Sequence, residues 1–165
     1  MSKKVIKNIR NFNHNPDKIY DSFTTESFIR KKLEAAGARY IFIEITEEQY
    51  AVRVNIEREM PVDAPASLQN FVPAWNKMLQ KEVWQKYTDG SYSATLDIEV
   101  VGMPVKIQGV MNIEPIAEGS TIDATTEIKV NVPLVGGMVA KFISEEISKA
   151  IEEEFDFIQE KLRVS

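Results

Sequence analysis

From residue 40 to residue 132 the chain repeats its apolar residues with a period of two, and then changes once, near residue 134, to the longer period of a helix. That order constrains the fold strongly. Strands joined by short polar turns must form a sheet, and the long amphipathic helix behind them must cover it. Segments 40–46 and 50–59 are separated by Glu47, Glu48 and Gln49, a connection of hairpin size. Segments 78–87 and 92–100 flank the Asp89-Gly90 pair that primed turns favour, and 105–113 and 121–132 flank a connection containing Glu118 and Gly119. Six consecutive strands joined in this way predict an antiparallel meander. In the last of them the mostly apolar set Ile122, Ala124, Thr126, Ile128, Val130 and Val132 alternates with the polar Thr121, Asp123, Thr125, Glu127, Lys129 and Asn131, so one face is covered and the other is wet.

The cover comes from the end of the chain. Val139, Ile143, Ile147, Ile151, Phe155, Ile158 and Leu162 recur at spacings of three and four and predict one buried stripe on a helix running from near Leu134 to about Leu162. Its other side carries Glu145, Lys149, Glu152, Glu153, Asp156 and Glu160, a solvated acidic face. Pro133, Gly136 and Gly137 precede it, and residues without Cβ allow a sharp turn and a close approach of the helix start to the sheet. Upstream, 5–12 reads as a first strand with imperfect alternation. Two short helices follow, with Pro16 in a first turn, Thr25 as an N-cap and Gly37 as a C-cap.

A chain of 165 residues, 44% apolar and 27% charged, suits one globular domain spanning 1–165. The absence of cysteine excludes disulfides, Cys-ligated zinc and thiol nucleophiles, and a single histidine, His14, thins the catalytic options further. A net charge of −5 argues against a nucleic-acid partner. The basic start, Lys3, Lys4, Lys7 and Arg10, reads as the solvated face of an edge strand. No apolar segment follows those lysines as in a signal peptide, and the most apolar run, 130–143, is interrupted by Asn131, Pro133 and Lys141. The expectation is a cytoplasmic protein without stable membrane insertion.

Strand, two short helices, meander and long last helix is the order of the helix-grip fold. The chain resembles the START-like (SRPBCC) superfamily, which includes birch-pollen-allergen-like proteins, polyketide cyclases and aromatases. More narrowly it resembles a bacterial branch marked by Glu-x-Trp, here Glu82 and Trp84, by Gly-x-Pro, here Gly102 and Pro104, and by the Pro-Leu-Val-Gly-Gly run from Pro133 to Gly137. The resemblance implies an α+β helix-grip fold, a curved seven-stranded antiparallel sheet around a long C-terminal helix with two short helices after the first strand. It also implies a cavity between sheet and helix for a lipid, sterol, polyketide or quinone-like molecule. That branch offers no established catalytic residues, and no catalytic residue, metal or cofactor is assigned.

Alternating strand directions place the connections 60–73, 101–104 and 133–137 at one end of the sheet. These are proline-stiffened and apolar, with Phe71, Met103 and Leu134, and are read as the rim of a ligand site; plugging the end as core is the competing reading. Val54, Trp84, Ile107, Met111, Met138 and Phe142 are the candidate lining. Arg58 shares a face with Val54 and Ile56, and Glu82 with Gln80 and Trp84, on what should be neighbouring strands. A buried charge is costly unless paired, so an Arg58–Glu82 pair across the strands would reconcile both placements, either as an internal ion pair or as a polar anchor in the cavity; the remaining alternative is that one of the two lies near a strand end in solvent. Three functions fit. Non-catalytic binding or carriage of an apolar small molecule ranks first. A cyclase or dehydratase with Glu82 as base and Tyr50 or Tyr87 as proton donor, and a protein-binding adaptor, stand behind it; a void would favour binder or enzyme, a filled core the adaptor.

Overall fold

The computed structural model describes residues 1–163. Strand β1 (Ser2–Phe12) leads into helices α1 (Pro16–Thr24) and α2 (Glu26–Ala35). Strands β2 (Arg39–Glu47), β3 (Val52–Pro61), β4 (Trp75–Lys86), β5 (Tyr92–Val100), β6 (Val105–Ile116) and β7 (Gly119–Val130) follow, and α3 (Gly136–Arg163) ends the described chain. The strands form one curved antiparallel sheet in the order β1-β7-β6-β5-β4-β3-β2. This is the helix-grip architecture that the resemblance implies, with the meander and covering helix that the period change predicts. The β2–β7 meander leaves β7 with a free side, and β1 fills it along its whole length, from Ser2 opposite Val130 to Phe12 opposite Ser120.

The imperfect alternation of β1 has a structural cause. Its outward residues Lys3, Val5, Lys7 and Ile9 are exposed, as befits an edge. Three of its inward residues meet α3, two of them through polar groups: Asn8 Nδ2 donates to Ser148 Oγ at 3.1 Å, and Arg10 lies 3.2 Å from Glu152 and 2.9 Å from Asp156. Phe12 then meets Phe155 edge to face, with ring centroids 6.2 Å apart. The helix is therefore oriented on the sheet by a polar zipper that ends in an aromatic contact.

Local signals set the ends of the helices. Asn15 caps α1, its side chain accepting from the Lys18 amide at 3.0 Å, with Pro16 in the first turn. Thr25 precedes α2 without a side-chain capping bond, and Gly37 leaves it at φ +86°. Helix α3 begins at Gly136, two positions beyond Leu134, because Leu134 sits at φ +67° and turns the chain away from helical geometry. A Cβ on Gly136 would lie 3.2 Å from Ser2 Oγ and 3.8 Å from the Val130 carbonyl, so the helix start passes close to β1 and β7.

The core is divided. At the end holding the tight turns, Phe12, Ile19, Phe23, Trp84, Ile113, Ile122, Phe155 and Ile158 pack together; at the loop end, Leu68, Val72, Val105, Ile107, Ile128, Val139 and Ala140 do so. Helix α3 bridges the two. Val139, Phe155 and Ile158 are completely buried, whereas Ile143, Ile147 and Ile151 between them are only half-buried. The stripe is continuous in sequence, but its middle is covered less fully than its ends, Ile143 and Ile147 packing at the margin of the loop-end cluster and Ile151 at the margin of the turn-end cluster.

Gly119 opens β7 at φ +153°, and a Cβ there would stand 2.1 Å from the Phe12 carbonyl oxygen and 2.8 Å from the His14 amide nitrogen. Nearby Ser120 Oγ donates to the His14 carbonyl at 2.7 Å, locking the exit of β1 against this turn. Both contacts are backbone and cannot move aside independently. Gly119→Ala is therefore expected to destabilise the protein by more than about 1 kcal/mol, measured as a lower urea midpoint with an unchanged denaturant slope.

Candidate functional site

The space under the middle of α3 is a cavity of about 690 Å³. The sheet supplies its floor through Ile56, Met78, Leu96, Ile98, Ile107, Met111 and Ala124, and α3 its roof through Phe142, Ile143, Ile147 and Ile151. Leu33 and Phe23 from the helical pair, and Met60, Val62, Val72 and Met103 from the loop end, complete the wall. Gly109 contributes by having no side chain, although a Cβ there would find only ordinary contacts, the nearest at 3.4 Å. The exposed residues among the lining are chiefly Ala35 at the end of α2 and Ala36 just after it, Pro61, and Ala150, Glu153, Asp156 and Glu160 on α3. The mouth thus lies between α2 and α3 and is acidic on the α3 side.

This mouth differs from the expected one. Of Phe71, Met103 and Leu134 only Met103 reaches the cavity; Phe71 is exposed and Leu134 fully so. Met138, expected in the lining, is also exposed, on the outer side of the first turn of α3. Val54 and Trp84 are buried but belong to the packed turn end, where Trp84 meets Phe23 at 5.3 Å and Tyr20 at 5.7 Å between ring centroids. Arg58, Glu82, Ile107, Met111 and Phe142 line the cavity with Met103. The connections do gather at one end, but α2 and the middle of α3 decide where the wall opens.

The polar part of the site is a line of side chains on β3 and β4. Arg58 and Glu82 do not touch. In the ladder Glu82 is opposite Val54 and Arg58 is opposite Met78, an offset of four residues or about 13 Å along the strand. Gln80, opposite Ile56, bridges that offset. Arg58 Nη2 donates to Gln80 Oε1 at 2.7 Å, the Gln80 amide donates to Glu82 Oε2, and Trp84 Nε1 donates to Glu82 Oε1 at 2.8 Å. Arg58 is 8% exposed and Glu82 4%, yet Arg58 Nε and Nη1 have no hydrogen-bond partner. A second charge pair stands opposite, with Lys32 Nζ 3.0 Å from Glu154 and 3.9 Å from the Phe23 ring centroid.

Burial controls the electrostatics. It lowers the Arg58 guanidinium to about 10, against the attraction of Glu82 and Glu154, so the side chain remains a cation at neutral pH. Burial likewise pushes the Glu82 carboxyl up, opposed by the Trp84 hydrogen bond and by Lys32. Gln80, Lys32 and Glu154 were not among the residues expected to form the site. A signal for Lys32 exists in the sequence, since it lies four residues after Phe28 and three after Ile29, on the helix face that Phe28 and Ile29 mark as covered. The proton donors considered alongside Glu82 are not assembled with it, because Tyr50 and Tyr87 are exposed and outside the cavity. Among the described residues no group of three His, Cys, Asp or Glu side chains is placed to hold a metal ion, and no helix is long and apolar enough to cross a membrane.

A sheet wrapped around one long helix, with a cavity held between them, defines the helix-grip class. Solved structures with this fold include a Thermus thermophilus protein, at TM-score 0.69 and 12% identity over 98% of each chain. A Rhizobium leguminosarum protein matches at TM-score 0.62 and 6% identity, over 99% of this chain and 97% of its own. Norcoclaurine synthase from Thalictrum flavum, solved with dopamine and hydroxybenzaldehyde, matches at TM-score 0.53 and 15% identity, over 99% and 87% respectively. Comparison with curated proteins finds no match. Residues 7–162 match the family described as "Protein of unknown function (DUF2505)", and the chain belongs to that family.

A carboxyl whose folded pKa is raised is destabilising when ionised, so stability falls as pH rises from the unfolded value through the folded one. Glu82→Gln removes the charge and keeps an amide oxygen for Trp84, but its NH2 group cannot accept from the Gln80 amide as Glu82 Oε2 does. Its melting temperature relative to the wild type is therefore expected to rise as pH increases from about 4.5 to 7.5, because only the wild type gains the buried charge over that interval. Calorimetric scans of both proteins across that interval check the sign.

Proposed function

We propose that this protein binds, without chemical conversion, an apolar small molecule in the cavity between the sheet and α3, acting as one START-like domain of the cytoplasm. The observation that carries the reading is the cavity itself, about 690 Å³ with predominantly apolar walls, at a place where the helix stripe is least buried. That size lies within the roughly 300–1,000 Å³ typical of small-molecule sites. A lipid, sterol, polyketide or quinone-like ligand would cover Ile143, Ile147 and Ile151 and the sheet residues Ile107 and Met111. The polar groups that converge there are few beside the apolar lining, a line of side chains along β3 and β4 with the Lys32–Glu154 pair opposite, as suits orientation of a ligand. The void also favours this reading over the adaptor alternative, which a filled interior would favour.

A neutral apolar dye such as Nile red tests the reading. The native protein is expected to bind it saturably, one molecule per chain, and to release it on unfolding. Ile147→Trp fills the cavity from the roof, where the native side chain is only half-buried. It should weaken dye binding several-fold while the melting temperature changes little, because the larger side chain enters open space rather than packed core. Absence of saturable binding by the wild type, or unchanged binding in the folded variant, overturns the proposal.

A further inference from the structure

Arg58 is the feature that a purely apolar cargo leaves unexplained. A guanidinium has five N–H donors and no acceptor capacity. Here one nitrogen is used on Gln80 at 2.7 Å, while Nε and Nη1 are buried in the cavity wall without partners. Leaving donors of a charged group unsatisfied in a low-dielectric setting is expensive, and replacing such a group by an apolar one is often neutral or stabilising. Glu82 and Glu154 attract it from a distance, but its surroundings supply no direct ion-pair partner. Lys32 engages Glu154 at 3.0 Å, Glu82 reaches Arg58 only through Gln80, and among the described residues no carboxylate stands within ion-pair distance of Arg58.

From this geometry we infer that the ligand is an anionic amphiphile, its apolar body in the cavity and its carboxylate on Arg58. The inference rests on the binding function proposed above and specifies the head group. The Gln80 bridge positions the guanidinium, since Gln80 accepts from Arg58 and donates to Glu82, itself held by Trp84. Burial that disfavours the ionised form of Glu82 also reduces its competition for Arg58. The acidic α3 side of the mouth opposes an approaching anion. Those exposed charges are screened by salt while the interior is not, so added salt should speed carboxylate entry.

Dodecanoate and 1-dodecanol, both below their aggregation limits, differ at the head group and test the assignment by dye displacement. Wild-type protein is expected to bind dodecanoate about tenfold or more tightly than dodecanol, the advantage of a charge-assisted hydrogen bond. In folded Arg58→Met that ratio should fall to near one. Equal wild-type affinities, or a ratio that survives in the folded variant, overturn the carboxylate assignment and leave the binding function standing. Failure of dodecanoate, dodecanol and the dye alike overturns both. A second measurement needs no variant: the carboxyl carbon of labelled dodecanoate, followed by NMR in complex with wild-type protein, should titrate below the free acid, because an adjacent cation favours the anion. Titration above the free acid would place the carboxyl in apolar space and overturn the inference.

Discussion

The structure depends on the way one helix is held at its two ends. Near its start Val139 and Ala140 pack into the loop-end cluster, and near its finish Phe155, Ile158 and Leu162 pack into the turn-end cluster. A helix of 28 residues is stiff over its length of about 42 Å, whereas the sheet beneath it is curved. Deep packing at both ends of a stiff rod over a concave surface, with polar contact to β1 at Ser148 and Glu152, leaves the middle of the apolar stripe only partly covered. The cavity follows from that mismatch, and Ile143, Ile147 and Ile151 are half-buried for the same reason that Phe155 is fully buried.

The contacts that orient α3 are shared with β1. Asn8, Arg10 and Phe12 project toward the helix from the strand that closes the free side of β7, so edge closure and helix docking are coupled. The two short helices serve the same end differently. Tyr20 stacks on Tyr92 at 4.0 Å between ring centroids, which ties α1 to the sheet, and the Lys32–Glu154 pair ties α2 to α3 across one side of the mouth. Access to the interior therefore lies along the α2–α3 seam, where an ion pair and the edge-to-face contact of Phe28 with Phe157 are the joining interactions.

A buried arginine with unpartnered donors beside an apolar void is a costly arrangement for stability alone. The arrangement is better suited to recognition, because donors that the protein does not satisfy are available to an acceptor arriving from outside. The Arg58–Gln80–Glu82–Trp84 line keeps the guanidinium in one orientation on two neighbouring strands, which are more precise supports than loops.

The sequence by itself determined the order and type of the elements, because a period of two and a period near 3.6 are local properties that each segment carries on its own. The polar turns at Asp89-Gly90 and Glu118-Gly119, the alternation of β7 and the long stripe of α3 were all readable in that way. Candidate residues were partly readable too, since Arg58 and Glu82 stand out as charges in apolar registers. Tertiary structure decided the rest. Whether Ile147 rests on the sheet or roofs a cavity depends on the curvature of strands distant in sequence. Whether Arg58 meets Glu82 depends on a register offset that only Gln80 can bridge. Leu134 and Met138 face outward because the backbone at Leu134 takes a left-handed turn, a conformation that the residue type does not announce. Periodicity tells which face of an element is covered; it does not tell how closely the cover fits.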